Sequence, residues 1–127
     1  MSENGENSKP RDLEERTRLF AKDVRTFVKS LPRTVCNAQD VKQLARSSGS
    51  VAANYIEANE AVSRKDFVLR IKYCRKEAKE SHLWLDLLDV SDRENCERLR
   101  TELLQEAQEL KLIFAAILRK SEGPGAG

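Results

Sequence analysis

The chain has 127 residues, 35% of them charged, 39% apolar and 6% aromatic, and a formal net charge of +2. That length predicts a single domain with a core large enough to stand without disulfides or metals. Six of the eight Gly and Pro residues lie near the termini, which leaves too few turn residues for an all-β fold, and the small net charge excludes a chain that is basic throughout.

Residues 1–11 and 121–127 are polar or small and are expected to be disordered tails flanking a domain at 12–120. The N-terminal segment has no apolar signal-peptide core, and no apolar run approaches the roughly 18 residues of a membrane span. A cytoplasmic protein without a membrane partner is expected. Cys36, Cys74 and Cys96 have no close spacing and read as reduced thiols used as small apolar side chains.

The first helix is expected over 12–31. Leu13, Thr17, Phe20, Val24, Phe27 and Leu31 recur three and four apart, and Pro32 closes the element. The stretch ARSSGSVAANYIEANEA at 45–61 could be a flexible linker or the close-packed centre of a helix. Val41, Leu44, Ser48, Val51, Tyr55 and Ala58 keep the period through it, so a second helix is expected over 37–61, capped by Asn37 with Asp40 following. Its small residues would let a neighbouring helix come close. The third helix, 64–89, has the stripe Phe67, Ile71, Cys74, Ala78, Ser81, Leu85, Leu88, and Ser63 with Asp66 reads as a capping box. The fourth, 92–120, has Leu99, Leu103, Ala107, Leu110, Phe114 and Ile117, with Ser91 and Glu94 in a second such pattern. Short connections between helices of similar length predict an all-α fold, an antiparallel up-down-up-down four-helix bundle.

The segment Arg46-Ser-Ser-Gly-Ser-Val-Ala-Ala-Asn-Tyr-Ile-Glu-Ala, followed by Ser63-Arg-Lys-Asp-Phe67, resembles the four-helix-bundle proteins encoded by intervening sequences in bacterial 23S rRNA genes. Arg46, Ser50, Val51, Asn54, Glu57, Asp66 and Phe67 fall on that family's pattern, and Glu80 on its helix-three glutamate. Ala52 and Ala58 stand where the family often has proline and glycine, and Tyr55-Ile56 replaces its usual Ile-Ala. The resemblance covers about residues 13–119. It implies a homo-oligomer, a pentameric barrel of bundles, with a basic surface and no established enzymatic role. A related branch, the accessory proteins of diversity-generating retroelements, works with a reverse transcriptase and binds nucleic acid.

Charge is unevenly spread: residues 41–80 are net +4 and residues 81–127 net −3. Such asymmetry marks either a binding face or a head-to-tail contact between identical subunits. The run RKDFVLRIKYCRKEAK at 64–79 is net +5. With 67, 71, 74 and 78 facing inward, Lys72, Arg75, Lys76 and Lys79 face away, as a phosphate-binding row would. An ordinary solvated face would have the same pattern. Asn54 and Glu57 share a helix face and read as a polar site or, more simply, as a hydrogen-bond network that fixes register. Arg46 is too far along the chain to pair with Glu57 within one helix. Leu69, Val68 and Tyr73 widen the apolar surface of helix three, and Trp84 lies one position off its core stripe.

No cofactor is expected. His82 is the sole histidine, short of the Glu-x-x-His pairs of a di-metal bundle, and no Gly-rich phosphate loop occurs. The reading is a non-enzymatic, oligomeric bundle that binds RNA or DNA through helix three. The alternative is a protein-interaction scaffold, such as a reverse transcriptase partner. A weaker third would be an enzyme using Asn54, Glu57 and Glu80.

Overall fold

The computed structural model describes residues 12–121. The tail expected at 1–11 and residues 122–127 of the tail expected at 121–127 lie outside the described residues, while Ser121 is the last residue of the fourth helix. Four helices occupy almost all of the rest: α1 Asp12–Val28, α2 Val35–Asn59, α3 Arg64–Leu87 and α4 Glu94–Ser121. No strand occurs among the described residues. Each helix packs on its neighbours in chain order and α4 closes back on α1, so the four form a square with α1 diagonal to α3. The cross-links fix the directions. Arg16 reaches Glu106 while Ser30 meets Cys96. Asn54 meets Arg70 while Ser47 meets Ser81. Arg64 reaches Ser121 while Arg100 reaches Leu88. Each pair is therefore antiparallel, as the short connections require.

The stripes form the core. Phe20, Val24, Phe27, Leu44, Val51, Ile71, Leu85, Leu110 and Phe114 are essentially inaccessible. Tyr55 tilts against Phe114 with ring centroids 6.1 Å apart. The disputed stretch is helical through Asn59, and Ser47, Ser48, Val51, Tyr55 and Ala58 are buried. Gly49 lies under Arg25, whose guanidinium crosses from α1 to the carbonyl of Ala45 at 3.2 Å; a Cβ there would sit 3.3 Å from that group.

Most element ends differ from expectation by one to three residues, and three of them have a visible cause. α1 stops at Val28 because Ser30 takes the Phe27 carbonyl with both its amide and its hydroxyl, at 3.0 and 2.8 Å, ahead of Pro32. α2 is capped by Thr34, whose hydroxyl accepts the Asn37 amide at 3.0 Å. Asn37 is not the cap but a buried tie: its side-chain amide donates to the carbonyls of Pro32 (3.0 Å) and Asp89 (2.9 Å), and its carbonyl accepts the Asp89 amide (3.0 Å). α4 begins at Glu94, two residues late. Ser91 is not its cap; it sits in the left-handed region at φ 53, its amide held by the Asp89 carboxylate. Ser63 caps α3 as expected, accepting the Asp66 amide at 3.0 Å. Cys74 and Cys96 are buried, whereas Cys36 is exposed and is no core residue.

Candidate nucleic-acid interface

α3 positions the basic row. Burial of Ile71, Cys74, Ala78 and Ser81 on one side turns the residues between them outward, and Lys72, Arg75, Lys76 and Lys79 are all exposed. They stand three and four apart and so share a face. Two acids of the same helix reach across to α2 and a third pairs within α3. Glu77 and Glu80 meet Arg46 at 3.3 and 2.7 Å, and Asp66 lies 3.9 Å from Arg70. Glu77, Glu80 and Asp66 are thus engaged by arginines, and Arg70 itself faces Asn54 of α2, while Lys72, Arg75, Lys76 and Lys79 are exposed. Among the described residues, ion pairs engage Arg16, Arg18, Arg46, Arg70 and Arg100; Arg75, Lys76 and Lys79 take part in none of these.

A further cation joins the row from α4. Arg100 donates to the carbonyls of Asp86 and Leu88 and so faces α3. Lys111 follows three turns later on the same flank, and the antiparallel register brings it level with Arg75. Sequence reading missed it because its nearness to α3 is a property of helix register, not of local spacing.

The polar motif residues of α2 do not converge. Asn54 donates to the Ser50 carbonyl at 2.9 Å and accepts from Arg70 at 3.3 Å. Arg46 pairs with α3 and leaves Glu57 on the exposed surface. Ser50 is half-buried and enters the network through its backbone. Asn54 and Glu80 are held by different arginines, so these two groups act as ties between α2 and α3 while Glu57 lies on the surface. Burial pushes the Cys74 thiol up to about 12, which makes it a poor nucleophile at neutral pH. His82 and Trp84 are half-buried, and the indole N–H of Trp84 has no hydrogen-bond partner in the structure. Among the described residues no three His, Cys, Asp or Glu side chains gather to hold a metal. No described helix is long and apolar enough to cross a membrane.

Fold and surface together define an all-α bundle protein with an exposed basic row on its third helix. The chain belongs to the 23S rRNA-intervening sequence protein family, whose sequence model matches residues 12–116. Among solved structures, it is similar to a protein of unknown function from the S23 ribosomal protein family of Bacteroides thetaiotaomicron. The TM-score is 0.69 and the identity 27%, over 84% of this chain and 97% of that one. A comparison with functionally curated proteins returns no match.

Proposed function

We propose that this is a non-enzymatic, cytoplasmic homo-oligomer that binds RNA or DNA through the outer row of α3. The observation that supports this reading most is the exposure of that row. Glu77 and Glu80 are engaged by Arg46 of α2 and Asp66 by Arg70; Arg75, Lys76 and Lys79 enter none of these ion pairs, and Lys72 shares their exposed face. Exposed cations in such a row suit a polyanion, whose phosphates they position without reading its sequence. An oligomer, pentameric as the family resemblance implies, repeats the row around its axis, so weak contacts add through multivalency.

Salt dependence tests the reading. Binding to single-stranded RNA should weaken with a log–log slope of about −0.7 per phosphate contact. Changing Lys72, Arg75, Lys76 and Lys79 together to Ala should weaken binding across all sequences and flatten that slope while helicity is retained. Lys111→Ala should add a smaller loss. The proposal fails if the wild-type protein binds no single-stranded or structured RNA and no DNA at low salt, or if the quadruple variant binds as well. A protein-interaction role, with a reverse transcriptase among the partners to try, then takes its place.

A further inference from the structure

The four sides of the bundle carry different charge. Between α2 and α3 carboxylates meet Arg46 and Arg70. Between α1 and α4 lies an open groove of about 790 Å³, with Leu19, Phe27 and Leu99 in its floor and Asp23, Glu102 and Glu106 among its acids. The row of α3 with Lys111 lies toward the α3–α4 side. The α1–α2 side is opposite to it, because the helices pack in chain order around a square. That side is also basic. Lys22, Arg25 and Lys29 are exposed and stand three and four apart, on α1 and the residue that follows it. Arg25 reaches the Ala45 carbonyl at 3.2 Å, and the register so set brings exposed Lys42 level with Lys29 across the seam.

Arg25 is held in the seam without a carboxylate. Its guanidinium donates to the carbonyls of Ala21 and Ala45 and, at 3.5 Å, to the Ser48 hydroxyl, lying over Gly49. Those bonds leave part of its donor fork open and its charge uncompensated. The acids of these two helices are engaged or placed elsewhere. Glu15 is bonded to Arg18 at 2.9 Å and reaches the field of Lys22 as well. Glu14 meets Asn59 near the other end of the seam, and Asp23 lines the groove. Asp40 is seven residues before Ser47 and Glu57 three after Asn54; both of those partners bond to α3, so the two acids stand on the α3 side. Glu60, the C-cap of α2, is about five turns from Lys42.

We propose that the α1–α2 side binds a second segment of nucleic acid, so that one bundle holds two segments on opposite faces. Arg25, Lys29 and Lys42 repel one another across a seam that supplies no countercharge between them, and phosphates relieve that repulsion. A strand fits better than an acidic protein. The cations of α1 run in line for about 10 Å along the axis, and beneath them lie Ala21, Ala45 and Gly49, none of them a large anchor of the kind that centres a protein interface. The bundle is about two helix diameters thick, roughly 20 Å, so a short strand lying along one face does not reach the other. The α3 side of this arrangement rests on the proposed function; the α1–α2 side does not.

The stoichiometry of a short single strand tests it, whatever the size of the oligomer. Hexauridylate should bind at two equivalents per chain at low salt. Changing Lys22, Lys29 and Lys42 together to Ala should reduce this to one. Changing Lys72, Arg75, Lys76 and Lys79 to Ala should also leave one, and the two sets combined should leave none. Changing Arg98, Arg119 and Lys120 of α4 to Ala removes the same charge as the first set and should leave two. If the first set still binds two equivalents, or if the wild type binds one that the α3 set alone abolishes, the α3 row stands and the second face is wrong. If the first set alone abolishes binding, the α3 row falls and the two-segment arrangement falls with it. A loss in the α4 set equal to that in the first set would assign the effect to net charge and reject the face. Hexaglutamate that displaces the strand from the α3 variant at equal concentration would make the face a site for acidic protein and overturn the proposal. Gln replaces Ala in any set whose helicity falls by circular dichroism, and the same stoichiometries are then required.

Discussion

The α2–α3 seam and the α1–α4 seam have the same periodic stripes and antiparallel sense, yet one is closed and the other open. Along α2–α3 the facing residues are small. The hydroxyls of Ser47 and Ser81 meet at 2.8 Å, and the Cys74 thiol lies 3.6 Å from the Val51 carbonyl. Ion pairs then cross above them from Arg46. Along α1–α4 the ends are tied, by Arg16 to Glu106 and Glu109 and by Ser30 to Cys96, but large side chains between them hold a groove open. Periodicity chooses which faces meet. The size of the residues at the edges of those faces chooses how closely.

The comparison breaks most readily at Ser81. Ser81→Leu puts a large side chain into a contact of small ones and leaves the buried Ser47 hydroxyl only the long bond to the Leu44 carbonyl, at 3.4 Å. It should cost about 3 kcal/mol. Leu19→Trp adds comparable bulk in the open groove and should change stability by no more than about 0.5 kcal/mol. Urea unfolding at concentrations too low for association measures both. Equal losses would mean that the seams do not differ in tightness.

A smaller effect is expected at the corner that keeps α1 in place. Asn37 joins the α1–α2 connection to the α3–α4 connection through three hydrogen bonds. Asn37→Ala should cost about 2 kcal/mol by orphaning those groups. Asn37→Asp keeps the acceptor but loses both donations, so it should not restore the loss. If Asn37→Asp matches the wild type in urea, the donated bonds contribute nothing.

These residues also show how far the sequence could be read. The four stripes announced the bundle, because each rests on spacing within one helix, and they named most of the core. The ends were harder. Ser63-x-x-Asp66 and Ser91-x-x-Glu94 look alike, but only Ser63 caps; Ser91 is bent to φ 53 by a turn that closes the α3–α4 connection. Asn37 and Thr34 are both good caps, and what decided between them was a bond from Asn37 to Asp89, 52 residues away. The outward row of α3 was legible for the same reason as the core. The engagement of the acids by other arginines was not, because that depends on where Arg46 and Arg70 of neighbouring turns and helices come to lie. The groove was not legible in the sequence, because spacing along α1 and α4 does not show where the large side chains of two helices leave a gap.

The smallest effect concerns the clamp that spans the open seam. Arg16 holds Glu106 at 2.7 Å and Glu109 at 2.7 Å, with all three side chains partly exposed. Arg16→Ala should therefore cost only about 1 kcal/mol near neutral pH. Acid offers a sharper readout. Glu109 is held below the usual carboxylate value of 4.5, first by the side-chain amide of Gln105 and then by Arg16. A carboxyl depressed in the fold binds protons more weakly there than in the unfolded chain. Its stabilisation is complete above the unfolded value and is lost as pH falls below 4.5 through the lower folded value. Solvent screening keeps that contribution small, because Glu109 is nearly half exposed. Replacing Gln105 and Arg16 together by Ala should flatten the fall in urea midpoint between about pH 5 and about pH 3, and hydrogen exchange in α1 should quicken more than in α2 or α3. An unchanged pH profile, or exchange that rises equally in all helices, would show that the clamp does not hold the open seam.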